Sequence, residues 1–180
     1  MAEFIFVFAL LLLGTGVWLY NGLVRNRNRV SEAWAGIDVQ LQKRFELVPN
    51  LVQTVKGYAS HESSVFEEVA HIRKTGETSV TERAQQETAL SHSLGRLFAL
   101  AEDYPELKAS EGFRQLHTSL VDIEDHLQFA RRYYNGAVRD NNNLVESFPS
   151  NIVAGMFKFK LAEFFEIELA SHRSAPDVDL

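Results

Sequence analysis

Six histidines are the residues of this chain best suited to bind a metal ion or to transfer a proton, and they lie at positions 61, 71, 92, 117, 126 and 172. A dimetal centre inside a helix bundle needs two Glu-x-x-His pairs together with two further glutamates. This sequence has one such pair, Glu68 with His71. The spacings of the HExxH, GxSxG, phosphate-loop and dinucleotide-binding motifs are absent. We therefore predict no catalytic residue, no metal site, no cofactor and no small-molecule substrate.

The composition excludes several other kinds of chemistry. The 180 residues include no cysteine, so disulfide bonds, thiolate metal ligands and a cysteine nucleophile are excluded. The formal net charge is −6 at pH 7, whereas nucleic-acid binding needs a clustered positive surface, so we expect no nucleic-acid partner. Four prolines and ten glycines are too few for a turn-rich β architecture. The predicted fold class is all-α.

Two ionisable residues interrupt an apolar stripe that has helical spacing. Apolar side chains recur every three or four residues from Val30 to Ile72, and Arg44 and Glu62 occupy the polar positions within that run. We interpret the two residues as an ion pair that fixes the register of packed helices. The alternative is a functional cluster that includes His61.

Pro49 lies inside the same stripe. It has no amide proton and restricts Val48, so the chain either reverses there or continues as one kinked helix. A reversal would give an antiparallel pair of helices at 21–47 and 50–74. The unbroken phase of the stripe suits a kink, whereas the usual effect of proline suits a reversal, which we favour.

Capping residues predict the next two helices. Thr78 or Ser79 begins a third helix that ends near Asp103, and Tyr104-Pro105 interrupts the chain. Ser110 is placed to cap a fourth helix.

The fourth helix has an apolar stripe that continues to Phe148, and Asn141 is its single polar interruption. Pro149 then precedes an unusually apolar C-terminal segment. This segment either folds back to close the bundle, which we favour, or rests on a membrane surface. Four phenylalanines make it a candidate interaction surface: Phe157, Phe159, Phe164 and Phe165.

The N-terminus has the properties of a membrane anchor. No charged residue occurs from Phe4 to Val24, and about 20 such residues match the hydrocarbon core of a bilayer. Trp18 and Tyr20 lie where an interfacial aromatic belt is expected. The start of the chain is not basic, and no small-residue cleavage pattern follows the apolar run, so a retained anchor is favoured over a cleaved signal peptide.

Three arginines, Arg25, Arg27 and Arg29, directly follow the anchor. By the positive-inside rule they place the bulk of the protein in the cytoplasm. The alternative is that they form a solvated helix face at the level of the lipid headgroups, to which anionic lipid would be attracted.

Several short motifs occur in a fixed order along nearly the whole chain. They are Glu32-Ala33-Trp34, Leu47-Val48-Pro49-Asn50, Tyr104-Pro105-Glu106-Leu107-Lys108, Ser147-Phe148-Pro149-Ser150-Asn151 and Ala162-Glu163-Phe164-Phe165-Glu166. In this order they resemble the LemA family of bacterial membrane-anchored helical proteins. The resemblance implies a single-pass anchor and a helical bundle, and it assigns no enzymatic activity. We expect the bacterial inner membrane as the location and no enzymatic function.

Two positions depart from the family pattern. Asn141 stands where the family usually has tyrosine after Arg-Asp, and we expect it to loosen the seam of the fourth helix. Leu161 replaces a usual proline, and we expect a C-terminal helix to start earlier as a result.

These observations together predict an N-terminal transmembrane helix that continues into an elongated antiparallel bundle of three to four long helices plus a short C-terminal helix. The expected domains are an anchor at 1–24, the helical domain at 25–170 and a disordered tail at 171–180. The expected function is that of a membrane-anchored scaffold or adaptor, which forms homo-oligomers or binds another membrane-associated protein. The alternative is a membrane-surface or membrane-remodelling protein that binds lipid through the basic cluster and the aromatic segment.

Overall fold

A computed structural model describes residues 1–59 and 79–166 of the chain. All regular secondary structure in these residues is helical, as predicted. The helices are α1 (Ala2–Lys56), α2 (Val80–Glu102), α3 (Pro105–Ala109), α4 (Glu111–Glu146) and α5 (Ser150–Met156).

Helix α1 passes through Pro49 without interruption. The favoured reversal at Pro49 is therefore wrong, and no helix boundary separates 21–47 from the residues that follow. A proline inside a helix costs about 3 kcal/mol. Continuity, however, keeps Val48, Leu51 and Val55 on one buried stripe, and each such side chain contributes about 1.5–3 kcal/mol when fully buried. Burial of the three side chains on the continuous stripe therefore stabilises the helix by more than the proline destabilises it.

The predicted limits of the third helix are confirmed in α2. Ser79 forms a capping box with Glu82: its Oγ accepts from the Glu82 amide at 3.2 Å, and its own amide donates to Glu82 Oε2 at 3.0 Å. Asp103 is the C-cap.

Short helix α3 follows α2 and was not predicted. It begins at Pro105, which suits a first helical position because the amide it lacks has no partner there. Ser110 then caps α4 as predicted, and its Oγ accepts from the Phe113 amide at 3.3 Å.

The chain divides into two compact units. The first, here called the anchor unit, consists of Met1–Val39 and Leu127–Phe164. The second, called the charged-core unit, is built around Gln40–His126. Helices α1 and α4 each contribute residues to both.

The charged-core unit packs the end of α1 with α2, α3 and the start of α4. The Phe98 ring lies 6.2 Å from the ring of Phe113 and 4.7 Å from that of His117. Glu87 and Glu124, further along the two helices, both approach Arg44. Helices α2 and α4 are therefore antiparallel. The apolar cluster between the helices comprises Val48, Leu51, Val55, Ala59, Leu90, Leu94, Leu97, Ala101, Leu107, Phe113 and Leu120.

The anchor unit contains the apolar start of α1, the second half of α4, α5 and a stretch without helix from Phe157 onwards. The half-buried Trp34 packs on the buried Tyr134, with ring centroids 5.4 Å apart. Residues 157–166 are not helical, so the earlier helix start that we expected from Leu161 is wrong. Side-chain contacts with α4 hold the backbone of this stretch instead.

Candidate functional site

The start of α1 is long and apolar enough to cross a membrane, and almost all of its side chains up to Trp18 are exposed. Exposed Phe, Leu and Ile side chains in such number have no stable position in water. Trp18 and Tyr20 lie at the end of this span, and Arg25, Arg27 and Arg29 are exposed beyond it. The protein is therefore membrane-associated.

The C-terminal segment contacts α1 at the point where the apolar span ends. The Tyr20 ring centroid lies 4.7 Å from that of Phe157 and 5.8 Å from that of Phe159. The guanidinium carbon of Arg27 lies 5.4 Å from the centre of the Phe159 ring, within cation–π distance. Tyr20 and Arg27 of α1 thus meet Phe157 and Phe159 of the C-terminal segment.

Helix α5 buries one face and exposes another beside that site. Ser150 and Ala154 are buried, whereas Phe148, Ile152 and Met156 are exposed by 80%, 58% and 73%. Ile152 and Met156 are four residues apart on α5 and so share one side of the helix, and Phe148 lies just before it. An apolar row is left uncovered within the anchor unit.

A tight turn ends α5. The Phe159 amide donates to the Ala154 carbonyl at 2.9 Å, and the Lys158 amide donates to the Gly155 carbonyl at 3.3 Å. These two bonds form a Schellman motif, in which glycine usually takes the left-handed position. Lys158 takes it here, with φ 56°. The turn ends the helix and directs the chain into the non-helical stretch.

Two side chains of α4 hold this stretch by its backbone. The Asn142 amide group donates to the Ala162 carbonyl at 3.0 Å, and its Oδ1 accepts from the Ala162 amide at 2.8 Å. The Tyr134 hydroxyl donates to the Glu163 carbonyl at 2.8 Å. Burial raises the pKa of Tyr134, and the charge of Glu163 raises it further, so the hydroxyl keeps its proton. These bonds replace the helical bonds that an earlier C-terminal helix would have needed.

Asn141 supports that attachment. It is buried within the apolar seam of α4, and its Nδ2 donates to Asn142 Oδ1 at 3.1 Å. The polar residue that we expected to loosen the seam therefore contacts the side chain that binds Ala162.

The four candidate phenylalanines do not form one surface. Phe157 and Phe164 are exposed, whereas Phe159 is half-buried between Tyr20 and Arg27. Phe165 is fully buried, so its assignment to an interaction surface is wrong. The sequence did not distinguish the exposed phenylalanines from the buried ones, because side chains of a non-helical segment do not alternate between buried and exposed with a fixed period.

A second exposed aromatic group lies on α4. Phe129 and Tyr133, one turn apart, are 64% and 57% exposed, and the Arg132 guanidinium carbon lies 4.6 Å from the centre of the Phe129 ring. This group was not predicted, because the expected stripe of α4 followed its buried side chains. The available signal was an aromatic pair spaced by four residues on an exposed side of α4.

Arg44 is the centre of a buried ionic cluster in the charged-core unit. Its Nη1 lies 3.0 Å from Glu124 Oε2 and 3.7 Å from Glu87 Oε2, and its Nη2 donates to Ser91 Oγ at 3.0 Å. Arg44 thereby connects α1 with α2 and α4. The predicted partner Glu62 and the alternative neighbour His61 lie outside the described residues.

Glu87 is the more deeply buried of the two carboxylates that face Arg44. Burial raises its pKa above the ordinary value of about 4.5, and this effect exceeds the opposing attraction of Arg44 and Arg83. Glu124 adds a further, smaller increase in the pKa of Glu87. The cluster therefore keeps a carboxylate that binds its proton more readily than an exposed glutamate does.

An open groove of about 290 Å³ also lies in the charged-core unit. Phe98, Phe113 and His117 line it on one side, and the ion pair of Lys108 with Glu102 borders it. Among residues 1–59 and 79–166, no three His, Asp or Glu side chains are placed to hold a metal ion.

Comparison with known proteins identifies the family. The LemA family model matches residues 33–180. The chain belongs to the LemA family. The matched region includes the Arg44 cluster, the α4 aromatic group and the Asn142 contacts, so these features lie inside the family domain.

Relatives of this LemA-family chain include magnetosome proteins. MamQ 1 of Paramagnetospirillum magneticum is 26% identical over 82% of this chain and 64% of its own length. MamQ of Magnetospirillum gryphiswaldense is 24% identical over 81% of this chain and 64% of its own length. Protein LemA of Metamycoplasma hominis is 25% identical over 98% of this chain and 82% of its own length. The chain thus spans somewhat less than two thirds of the MamQ proteins.

Proposed function

We propose that this LemA-family chain is a single-pass adaptor of the bacterial inner membrane that acts by self-association through α4. The observation that carries the proposal is the exposed group of Phe129, Arg132 and Tyr133, here called the α4 patch. The adaptor role that we propose for the chain needs no catalytic residue.

The α4 patch has the chemistry of a protein interface. Aromatic residues and arginine are enriched at the centre of interfaces, where they account for most of the binding energy. Phe129 and Tyr133 are each more than half exposed. Each aromatic side chain buries about 150–250 Å² when it is covered. Covering both rings would therefore remove a substantial apolar area from water.

A second copy of the chain is the partner that this patch suits. Arg132 lies over Phe129 within one molecule, so the patch carries both a cation and the rings that attract cations. A two-fold axis through such a patch would pair the arginine of each copy with the rings of the other. The single anchor confines the copies to one membrane, which raises their effective concentration.

The orientation and the domain limits belong to the same proposal. Arg25, Arg27 and Arg29 are exposed directly after the span, which supports a cytoplasmic location for the rest of the chain. We assign residues 1–24 to the anchor and 25–170 to the helical domain, and the predicted tail at 171–180 lies outside the described residues. The family match over residues 33–180 supports a domain that follows the anchor.

Light scattering of the full-length protein in mild detergent tests self-association. We expect a defined oligomer, and we expect Phe129→Ala with Tyr133→Ala to shift it towards the monomer while the helical signal stays unchanged. Tyr58→Ala is the control, because Tyr58 is also an exposed aromatic residue but lies outside the α4 patch. A monomeric wild type would reject self-association. An oligomer that persists in the double variant would reject the α4 patch as its interface.

A further inference from the structure

We propose that residues 148–160 form a second membrane contact, in which Phe148, Ile152, Met156 and Phe157 enter the interface of a bilayer that contains anionic lipid. We call these residues the interfacial segment. This contact is separate from the α4 patch and does not depend on self-association.

The position of the interfacial segment follows from its contact with Tyr20. The charge-free part of α1 ends at Val24, and Arg25 is the first ionised residue after it. Tyr20 therefore lies at the boundary between hydrocarbon and headgroups, where tyrosine is enriched. Because the Phe157 ring lies 4.7 Å from the Tyr20 ring, Phe157 is held at the same depth.

The exposed side chains at that depth are apolar. Phe148, Ile152, Met156 and Phe157 are each more than half exposed, whereas Ser150 and Ala154 hold α5 to the protein. Ile152 and Met156 therefore lie on the free face of a short helix whose other face is already packed, and Phe148 and Phe157 flank that helix. In water this face would be an uncovered apolar patch, and in the bilayer interface it is covered by acyl chains.

The charges around the interfacial segment favour an anionic surface. Lys158 and Lys160 are exposed within it, and Arg25 and Arg29 are exposed on the adjoining turns of α1. Arg27 is held over the Phe159 ring, which keeps its charge beside the segment. Cations that flank an apolar face are typical of interfacial segments that bind anionic lipid.

Lipid suits this surface better than a second protein does. The row adjoins the end of α1, whose exposed apolar residues already require lipid, so the two apolar surfaces are continuous at Tyr20. A protein partner would have to cover the row at the membrane boundary while lipid covered the neighbouring span.

The absence of native cysteine makes spin labelling a direct test. We would introduce Ile152→Cys or Met156→Cys into the full-length protein, attach a nitroxide and insert the protein into nanodiscs. The discs would contain phosphatidylcholine with phosphatidylglycerol as the minor component. Collision with oxygen reports contact with lipid, and collision with a water-soluble nickel complex reports contact with water. Gln115→Cys, at an exposed position of α4, is the water-exposed control.

We expect the ratio of oxygen to nickel accessibility at 152 and 156 to be severalfold that at 115. Labels at 152 and 156 with the ratio of the control would place the segment in water and overturn the proposal. Low accessibility to both reagents would show that protein covers the row, and it would overturn the proposal equally. Circular dichroism of each labelled variant verifies the fold.

Lipid charge provides the second arm of the test. Lys158→Gly keeps the left-handed turn, since glycine is the usual residue there, and Lys160→Gln removes the neighbouring charge. We expect the labels to lie deeper in discs with phosphatidylglycerol than in phosphatidylcholine alone. The double variant should remove most of this difference. Equal depths in the two lipids for the wild type would overturn the role of anionic headgroups.

Discussion

Two apolar seams in this protein contain a buried polar residue, and the two residues are accommodated differently. In the charged-core unit, Arg44 is 5% exposed and is surrounded by carboxylates and a hydroxyl from α2 and α4. In the anchor unit, Asn141 is 3% exposed and donates to the neutral side chain of Asn142. In the first site a cation lies beside two carboxylates, and in the second Asn141 donates to the side chain that binds the backbone of Ala162.

The difference follows from the hydrogen-bonding capacity of the side chains. A guanidinium has donors only, so Arg44 needs acceptors from other elements, and its contacts join α1 to α2 and α4. A carboxamide has both donors and an acceptor, so Asn142 satisfies the carbonyl and the amide of Ala162 together. The cation therefore contacts side chains of regular helices, whereas the amide holds an irregular segment by its backbone.

The largest effect is expected from removal of the charge of Arg44. Arg44→Met leaves Glu87 buried beside a neutral side chain, and breaking a buried ion pair costs about 3–5 kcal/mol. Thermal unfolding of the full-length protein in detergent, followed by circular dichroism, measures the loss. Lys43→Met removes the neighbouring exposed cation and should change stability by less than about 0.5 kcal/mol.

A double variant tests whether charge balance is the cause. Arg44→Met with Glu87→Leu removes the two most deeply buried charges, and the side chain of the remaining Glu124 is 35% exposed. Replacing a buried pair with apolar residues is often neutral, so most of the stability should return. If the double variant is as unstable as Arg44→Met alone, Arg44 stabilises the fold through its packing. The proposed difference between a charged site at Arg44 and a neutral site at Asn141 would then be wrong.

The limits of α2, the start of α4 and the polar positions in the stripes were predictable because they depend on local spacing. The capping box of Ser79 with Glu82, and the stripes that Arg44 and Asn141 interrupt, can be read from residues a few positions apart. The path at Pro49 was not predictable by that means. It depends on burial of Val48, Leu51 and Val55 against residues far along the chain, and such packing outweighed the local effect of proline.

The sites were predictable only in part for a related reason. Tyr20, Arg27 and the aromatic segment were each singled out, but their meeting depends on a turn at Lys158 that places a lysine where glycine is usual. The path of the chain through residues 162 and 163 likewise depends on the Asn142 and Tyr134 contacts. A period of 3.6 residues carries no information about a segment that is not helical.

A smaller and more local effect is expected at Asn142. Asn142→Ala leaves the amide and carbonyl of Ala162 without their side-chain partner, at a cost of about 1–3 kcal/mol. Hydrogen exchange read by mass spectrometry should show faster exchange in residues 157–166, while α2 keeps its protection. Asn142→Asp retains the acceptor for the Ala162 amide and should give an intermediate result.

Asn143→Ala is the matched control, because Asn143 is exposed and adjoins Asn142 on α4. Its exchange pattern should equal that of the wild type. Loss of protection in α2 on replacement of Asn142 would contradict the comparison, since the amide would then stabilise more than the irregular segment.

The smallest effect is a pH dependence specific to the charged-core unit. Burial raises the pKa of Glu87 above about 4.5, so the folded state binds this proton more tightly than the unfolded state does. The contribution of Glu87 to stability is therefore fully present below pH 4.5 and declines as pH rises through the folded pKa.

The Glu87→Gln variant has no carboxyl group at this position, so its stability should not show this decline. The melting temperature of Glu87→Gln relative to wild type should rise with pH in that window and then level off, whereas exposed Glu106→Gln provides the control for loss of a carboxylate. A relative melting temperature that falls with rising pH would mean that attraction to Arg44 exceeds the effect of burial, and the Arg44 site would then be stabilised by its ion pair at neutral pH.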